Sequence, residues 1–493
     1  MANYERKKTV DGLSLRLYRG EGAALLAFDL ERAKATDDFV GFSVEVKYPG
    51  SNNWGALRNR LHFDYPPNPE RPLSFKSTEA PFQKFRWVHV PTDVSGVGEF
   101  RYRVTARYMD ATGKLHAGAA VEESISLLPE TIAGFVNVAF TRGFASSQAY
   151  AERFNNETGI LPPVNAPAKA SLSHDMTPFP KQYDWLGFEV RRLIYQLLDE
   201  VIADPSQKLD ALIYECKEPE ILKRLVALGP RLRAVIDDHA DQGEPDSCET
   251  ISADRLKAAG AQVKRMHFAR QQHNKVLIVR KNGLAVRALG GSTNFSLRGL
   301  YIQANNALLF ENDVVAAKFA EVFDAYWKSP STFRQKALSK QWSVVRDEPQ
   351  SHVALCFSPH GDGDLSLAPV ATAIEEADSS VLYSIVFLNQ INGKVRTALD
   401  ELMQRSLFSY GVAQRTSGLA VQKPNGDVAL LEFAYLAENA PEPFKSEWSG
   451  NTTQFSQMVH HKFVVTDFNG ARPTVFTGSS NMARGARRKT ATI

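Results

Sequence analysis

One pattern occurs twice in this chain. His273-Asn274-Lys275, followed by Gly291-Ser292-Thr293-Asn294, reappears as His460-His461-Lys462, followed by Gly478-Ser479-Ser480-Asn481. The interval from first histidine to last asparagine is 21 residues in both copies, and the copies lie 187 residues apart. Fixed internal spacing at that separation predicts two similarly built units, each presenting the same groups in the same order. An apolar run follows each His-x-Lys, Val276-Leu277-Ile278-Val279 and Phe463-Val464-Val465, and reads as a buried strand.

Side chains alternate faces along a strand, so His273 shares a face with Lys275 and His460 shares one with Lys462. A second apolar segment, Ala285 to Leu289 or Pro473 to Phe476, then runs into a glycine, where backbone can approach a ligand closely. Ser292 and Asn294 sit two apart beyond it, as do Ser479 and Asn481. Each copy therefore offers an imidazole, an ammonium, a hydroxyl and a carboxamide, a set suited to gripping and attacking a phosphate. By the same alternation His461 faces away from His460 and is a packing residue. A zinc site from His460, His461 and Asp467 is disfavoured, because those positions do not converge on one strand face and no cysteine joins them.

These residues resemble the phospholipase D superfamily, whose signature is His-x-Lys, an Asp five residues after the Lys, then Gly-Ser-x-Asn, present twice. The resemblance covers about the last 360 residues. It implies an α/β fold in which two phospholipase D-like repeats pack pseudo-symmetrically with their motifs facing one another. It implies a phosphodiester hydrolase that works through a phosphohistidine, with His273 as nucleophile and His460 as general acid and later base, the opposite assignment remaining open. Lys275, Lys462, Asn294 and Asn481 would hold the non-bridging phosphate oxygens, Ser292 and Ser479 would orient or donate, and Asp467 would support the site from behind. No metal or cofactor is expected.

Three departures accompany the resemblance. The aspartate is present as Asp467, but its counterpart in the first copy is Arg280. Relatives place a carboxylate after Gly-Ser-x-Asn to orient a histidine, whereas the first copy offers Gln303, Asn305 and Asn306. The first copy continues into an apolar strand, Ala307 to Phe310, and a helix carrying Phe319, Phe323 and Trp327 at four-residue spacing. The sequence ends before the second copy could repeat them, so an unpaired sheet edge is expected there.

The first 130 residues read differently. Leu13 to Leu17, Phe42 to Tyr48 and Phe100 to Tyr108 alternate apolar with polar, with turn signals at Pro49-Gly50 and Thr112-Gly113. Residues 1–130 are thus expected to form an all-β sandwich of immunoglobulin or fibronectin type. Residues 131–345 and 346–493 are expected to hold the two repeats, joined through Lys328 to Ser351. In the first repeat, strands are predicted at Ala133 to Phe140, Leu209 to Tyr214 and Leu232 to Ile236, with helices over Trp185 to Ile202 and Glu220 to Leu228. In the second, strands are predicted at Val353 to Phe357 and Ser380 to Phe387, with helices near Ala368 to Ala377 and Lys394 to Met403.

A net charge of +3 on 493 residues lacks the strong basic bias of most nucleic-acid-binding domains. No apolar stretch reaches membrane-spanning length, and no secretory leader is expected, which makes the cytoplasm the default compartment. Cys216, Cys248 and Cys356 have neither metal-site nor disulfide spacing, and Cys216 and Cys356 read as core residues. His267 has no assigned role and His360 lies in a polar turn. Phospholipid is the favoured substrate, with peripheral membrane contact through Phe444, Trp448 and Phe455 ahead of His460. Nucleic acid is the alternative, and an inactive binding protein a third reading. The Arg484 to Lys489 segment reads as a solvated basic end.

Overall fold

The computed structural model describes residues 4–20, 22–63, 74–91, 98–127, 131–143, 148–163, 166–349, 351–388, 391–414, 430–432 and 459–482. The chain divides into two compact units, Met1–Ala133 and Gly134–Ile493. Phe444, Trp448, Phe455 and the Arg484 to Lys489 segment lie outside the described residues.

The first unit is all-β. Glu5–Val10, Leu13–Gly20, Ala23–Leu30 and Arg86–His89 form one antiparallel sheet, and Leu115–Ser126, Glu99–Met109, Phe39–Lys47 and Gly55–Ala56 form a second. The predicted alternation is realised: Leu13, Leu15 and Leu17 of one sheet and Phe100, Tyr102 and Val104 of the other are buried in a common core. Their neighbours Arg16, Glu99 and Arg101 are exposed.

The second unit is mixed α/β and contains one strand order twice. Gln262–Arg265, Leu232–Ile236, Gln207–Ile213, Lys275–Lys281 and Leu284–Gly291 are successive neighbours in the first sheet. Leu430–Glu432, Phe408–Ala413, Ser380–Ile385, Lys462–Thr466 and Thr474–Phe476 are successive neighbours in the second. The pair senses also agree: parallel, parallel, antiparallel, antiparallel in both. Even the register is shared, since Ile213 faces Lys275 and Ile385 faces Lys462. Parallel neighbours need crossovers, supplied by the helices Pro219–Leu228, Cys248–Ala258 and Lys394–Leu402.

The first sheet continues past Leu284–Gly291 with Asn306–Phe310 and Val136–Phe140. Among the described residues, Thr474–Phe476 pairs on one side only. The helix Asp313–Lys328 buries Phe319 and Phe323. Trp327 is partly buried, with the Lys264 ammonium and the Arg233 guanidinium over its ring at 4.8 and 5.6 Å.

Three details add to the expected elements. Pro180–Ala203 is helical as predicted from periodicity, yet it kinks at Phe188, where φ is +48°, and the Leu186 carbonyl accepts from the Arg142 and Gly143 backbone N–H groups. The expected connection from Lys328 to Ser351 carries the helix Pro330–Gln335 and the strand Ser343–Glu348. That strand pairs with Ser351–Leu355, so the predicted opening strand of the second repeat forms a separate hairpin instead of joining the five-stranded sheet. No helix among the described residues is long and apolar enough to cross a membrane.

Candidate active site

The register just described sets both His-x-Lys motifs at the edge of their sheets where the central parallel strands end. Gly291 and Gly478, which open the two Gly-Ser-x-Asn segments, have φ of +148° and +156°. A side chain at position 291 would place its Cβ 2.5 Å from the Asn306 carbonyl oxygen, so the close turn there demands glycine.

The two halves exchange matching contacts. His273 Nδ1 lies 3.1 Å from the Ser479 carbonyl, and His460 Nδ1 lies 3.1 Å from the Ser292 carbonyl. Lys275 Nζ donates to the His273 carbonyl and Lys462 Nζ to the His460 carbonyl, both at 2.6 Å. The His460 backbone N–H also donates to the Ala304 carbonyl, beside a parallel bridge between Ala304 and Val459. Residues 187 positions apart are thereby brought to one place. Carbonyl oxygens can only accept, so each Nδ1 carries a proton and each Nε2 is the nitrogen left to exchange protons or attack.

His273, His460, Lys275 and Lys462 are all buried. Burial holds both imidazoles well below their ordinary pKa, and the ammonium groups of Lys275 and Lys462 push in the same direction. Both lysines are likewise held well below the usual range by burial. Glu215 and Asp237 oppose the shift at Lys275, whereas Lys275 deepens it at Lys462. Such a pocket is short of negative charge, and an anion entering it would stabilise both ammonium groups. Among the described residues, the buried carboxamide oxygens of Asn294 and Asn481 have no hydrogen-bond partner, as suits groups kept for a ligand.

Not every expected contact is made. Ser292 is committed within the protein: its Oγ lies 2.9 and 2.8 Å from Asn305 Oδ1 and Asn306 Oδ1 and accepts from the Asn306 backbone N–H. It supports the loop rather than offering its hydroxyl to a phosphate. Ser479 is buried and gives its carbonyl to His273. Asp467 does not stand behind the phosphate pocket. It sits past the far end of its strand and accepts from the backbone N–H groups of Asp378, Ser379 and Ser380.

At the equivalent place in the first half, Arg280 binds Asp210 and Asp324, which also pair with Arg233. His461 packs between Phe140 and Phe463 as alternation predicts, and among the described residues no cluster of metal-binding side chains occurs. His360 is buried instead of lying in a solvated turn, with Nδ1 3.1 Å from the Ser339 carbonyl and Nε2 3.1 Å from Ser366 Oγ. Cys356, expected in the core, is only partly buried. His267 pairs with Asp238 at the surface.

Several site residues escaped the motif. Asn305 Oδ1 lies 2.8 Å from His460 Nδ1, and its orientation is fixed because Asn305 Nδ2 donates to the Gly299 carbonyl. The amide oxygen thus faces the histidine of the other half. Tyr214 packs its ring on His273, with centroids 4.5 Å apart, and lies under Lys275 Nζ at 4.4 Å. Asp237 accepts from the Gln272 and His239 backbone N–H groups, and burial pushes its pKa up to about 7. Tyr214 and Asp237 immediately follow the strands Gln207–Ile213 and Leu232–Ile236. Their position at the carboxyl ends of parallel strands was the available signal.

Residues 198–327, which include the first motif copy, match the family model described as "Cardiolipin synthase, PLD-like domain". No curated protein matches the chain. Among solved structures, polyphosphate kinase from Porphyromonas gingivalis is 10% identical with a TM-score of 0.43, over 94% of this chain and 72% of that one. The phospholipase D family member Nuc from Salmonella typhimurium is 24% identical with a TM-score of 0.23, over 28% of this chain and 86% of that one. Phosphatidylserine synthase from Haemophilus influenzae Rd KW20 is 10% identical with a TM-score of 0.38, over 62% of this chain and 79% of that one.

Proposed function

We propose that this chain, whose residues 198–327 match a PLD-like domain, is a phospholipase D-type enzyme that cleaves a phosphodiester through a phosphohistidine. The observation that carries the reading is the reciprocal pair of contacts between the halves, His273 to Ser479 and His460 to Ser292. Two imidazoles, each with its Nδ1 turned to a carbonyl of the other half, thereby stand with two lysines around one site.

In this reading His273 Nε2 attacks phosphorus as the bond to the alcohol oxygen breaks. His460, entering protonated on both nitrogens, gives its Nε2 proton to the leaving oxygen. Two oxygens face its Nδ1, Ser292 O and Asn305 Oδ1, and they favour the imidazolium form that a general acid needs. His273 Nδ1 faces one carbonyl and its ring rests on Tyr214, which suits a neutral nucleophile. Water then attacks phosphorus opposite the P–N bond, returns a proton to His460 and frees His273. Lys275, Lys462, Asn294 and Asn481 hold the non-bridging oxygens, whose charge grows in the transition state.

Phospholipid is the favoured substrate. The matched family model is described by a lipid synthase.

The test uses vesicles of phosphatidylglycerol and phosphatidylcholine, and single- and double-stranded DNA, all in EDTA. Wild type is compared with His273→Ala and His460→Ala. Lipid cleavage that falls by roughly 10³-fold or more in both variants is expected. Turnover of DNA alone would move the substrate to nucleic acid, and no turnover of any substrate would overturn the enzymatic reading in favour of a binding protein.

A further inference from the structure

The two halves share topology and register, which makes it meaningful to ask what stands at each matched position. Tyr214 donates its backbone N–H to the Asn274 carbonyl at 2.9 Å, and Val386 donates to the His461 carbonyl at 3.1 Å. The two residues follow Ile213 and Ile385, which face the motif lysines, so they are structural equivalents. Asp237 and Gln414 match as well, because Asp237 accepts from Gln272 N and Gln414 Oε1 accepts from Val459 N, one residue before each motif histidine. Glu215 then corresponds to Phe387. Around its histidine and lysine the first half has an aromatic ring and two carboxylates, where the second half has Val386, Phe387 and Gln414.

We propose that Tyr214 is a positioning residue that locks His273 and Lys275 together as one unit, and that this ring, more than the duplicated motif, makes the halves chemically unequal. The proposal deepens the phosphodiesterase reading above and rests on it. The ring meets the imidazole at 58°, which restricts rotation of His273 about its side-chain bonds. Its face also holds the Lys275 ammonium at 4.4 Å, a cation–π contact inside a buried pocket where such contacts are strong. Lys275 is therefore fixed by three features, the Tyr214 face, the His273 carbonyl and the neighbouring carboxylates. Lys462 has the His460 carbonyl and no aromatic face at residue 386. One end of the pocket is thus rigid before substrate arrives, and the other is completed by it.

The experiment compares wild type with Tyr214→Val, which installs the second half's residue, and with Tyr214→Phe, which keeps the ring. Three quantities are read: kcat and KM on the phosphodiester that wild type cleaves, tungstate affinity by calorimetry, and the ring resonances of ¹⁵N-labelled histidines. Tyr214→Val should lower kcat by roughly 10- to 100-fold with KM changed by less than about threefold. It should weaken tungstate binding and move the His273 resonances while leaving those of His460 in place. Tyr214→Phe should recover most of what Val loses. If Tyr214→Val melts early, Tyr214→Leu fills the same space without a ring.

The proposal is overturned if Val or Leu leaves kcat within about twofold and the His273 resonances unmoved, or if Phe loses as much as Val. Should wild type cleave no phosphodiester, the reaction assignment fails by itself. The histidine resonances and tungstate affinity still decide the role of Tyr214.

Discussion

The contact between the Asn305 amide oxygen and His460 shows how much one neutral atom can set. Burial and the two lysines hold His460 well below the ordinary imidazole range, and an amide oxygen opposes that less than a carboxylate would. Asn305→Asp should therefore raise the His460 pKa. If protonated His460 delivers the proton to the leaving group, the fall in kcat at high pH should move upward by about one unit or more. A kcat profile between pH 4 and 9 reads this directly, and an unmoved alkaline limb would remove His460 from the acid role. Tyr214 belongs to the same scale: neither it nor Asn305 is part of the repeated motif, yet each touches one of its histidines.

At the scale of the element, the two His-x-Lys strands end differently. Asp467 holds the backbone ahead of Ser380–Ile385, joining that strand to its neighbour through three N–H groups. Arg280 reaches sideways to Asp210, a buried carboxylate on the adjacent strand, and onward to Asp324 on the helix Asp313–Lys328. The motif aspartate is thus a strand-end fastening, and the first half achieves the same fastening with an Arg–Asp network. Arg280→Asp, which would restore the motif, should set a third carboxylate against Asp210 and Asp324 and cost about 3 kcal/mol or more in urea unfolding. Equal or higher stability in that variant would show the network to be incidental.

For the whole molecule, the site exists only where the halves meet, so ligand binding and assembly of the second unit are linked. Tungstate, a phosphate-like anion, should raise the melting temperature in proportion to its binding, about 2.7 kcal/mol at 100 times its Kd. Both lysines sit below their ordinary pKa and an anion raises them, so binding should take up protons and weaken as pH rises. Calorimetry in two buffers of different ionisation enthalpy measures that uptake. Lys275→Met with Lys462→Met should reduce it, leaving the share taken up by His273 and His460. An unchanged proton count in the double variant would place tungstate elsewhere.

The sequence by itself determined what short-range pattern can carry. The duplicated spacing named the two histidines and two lysines, strand alternation turned His461 away from His460, and apolar runs located Leu232–Ile236 and Lys275–Lys281 closely. All of these depend on a few consecutive residues, where strand period and burial leave little choice. Only the tertiary structure decided that Ser292 spends its hydroxyl on Asn305 and Asn306, that Asp467 fastens backbone, and that Tyr214 lies between His273 and Lys275. Those facts arise from packing between segments far apart in the chain, and no local period encodes which side chain will meet which across such an interface.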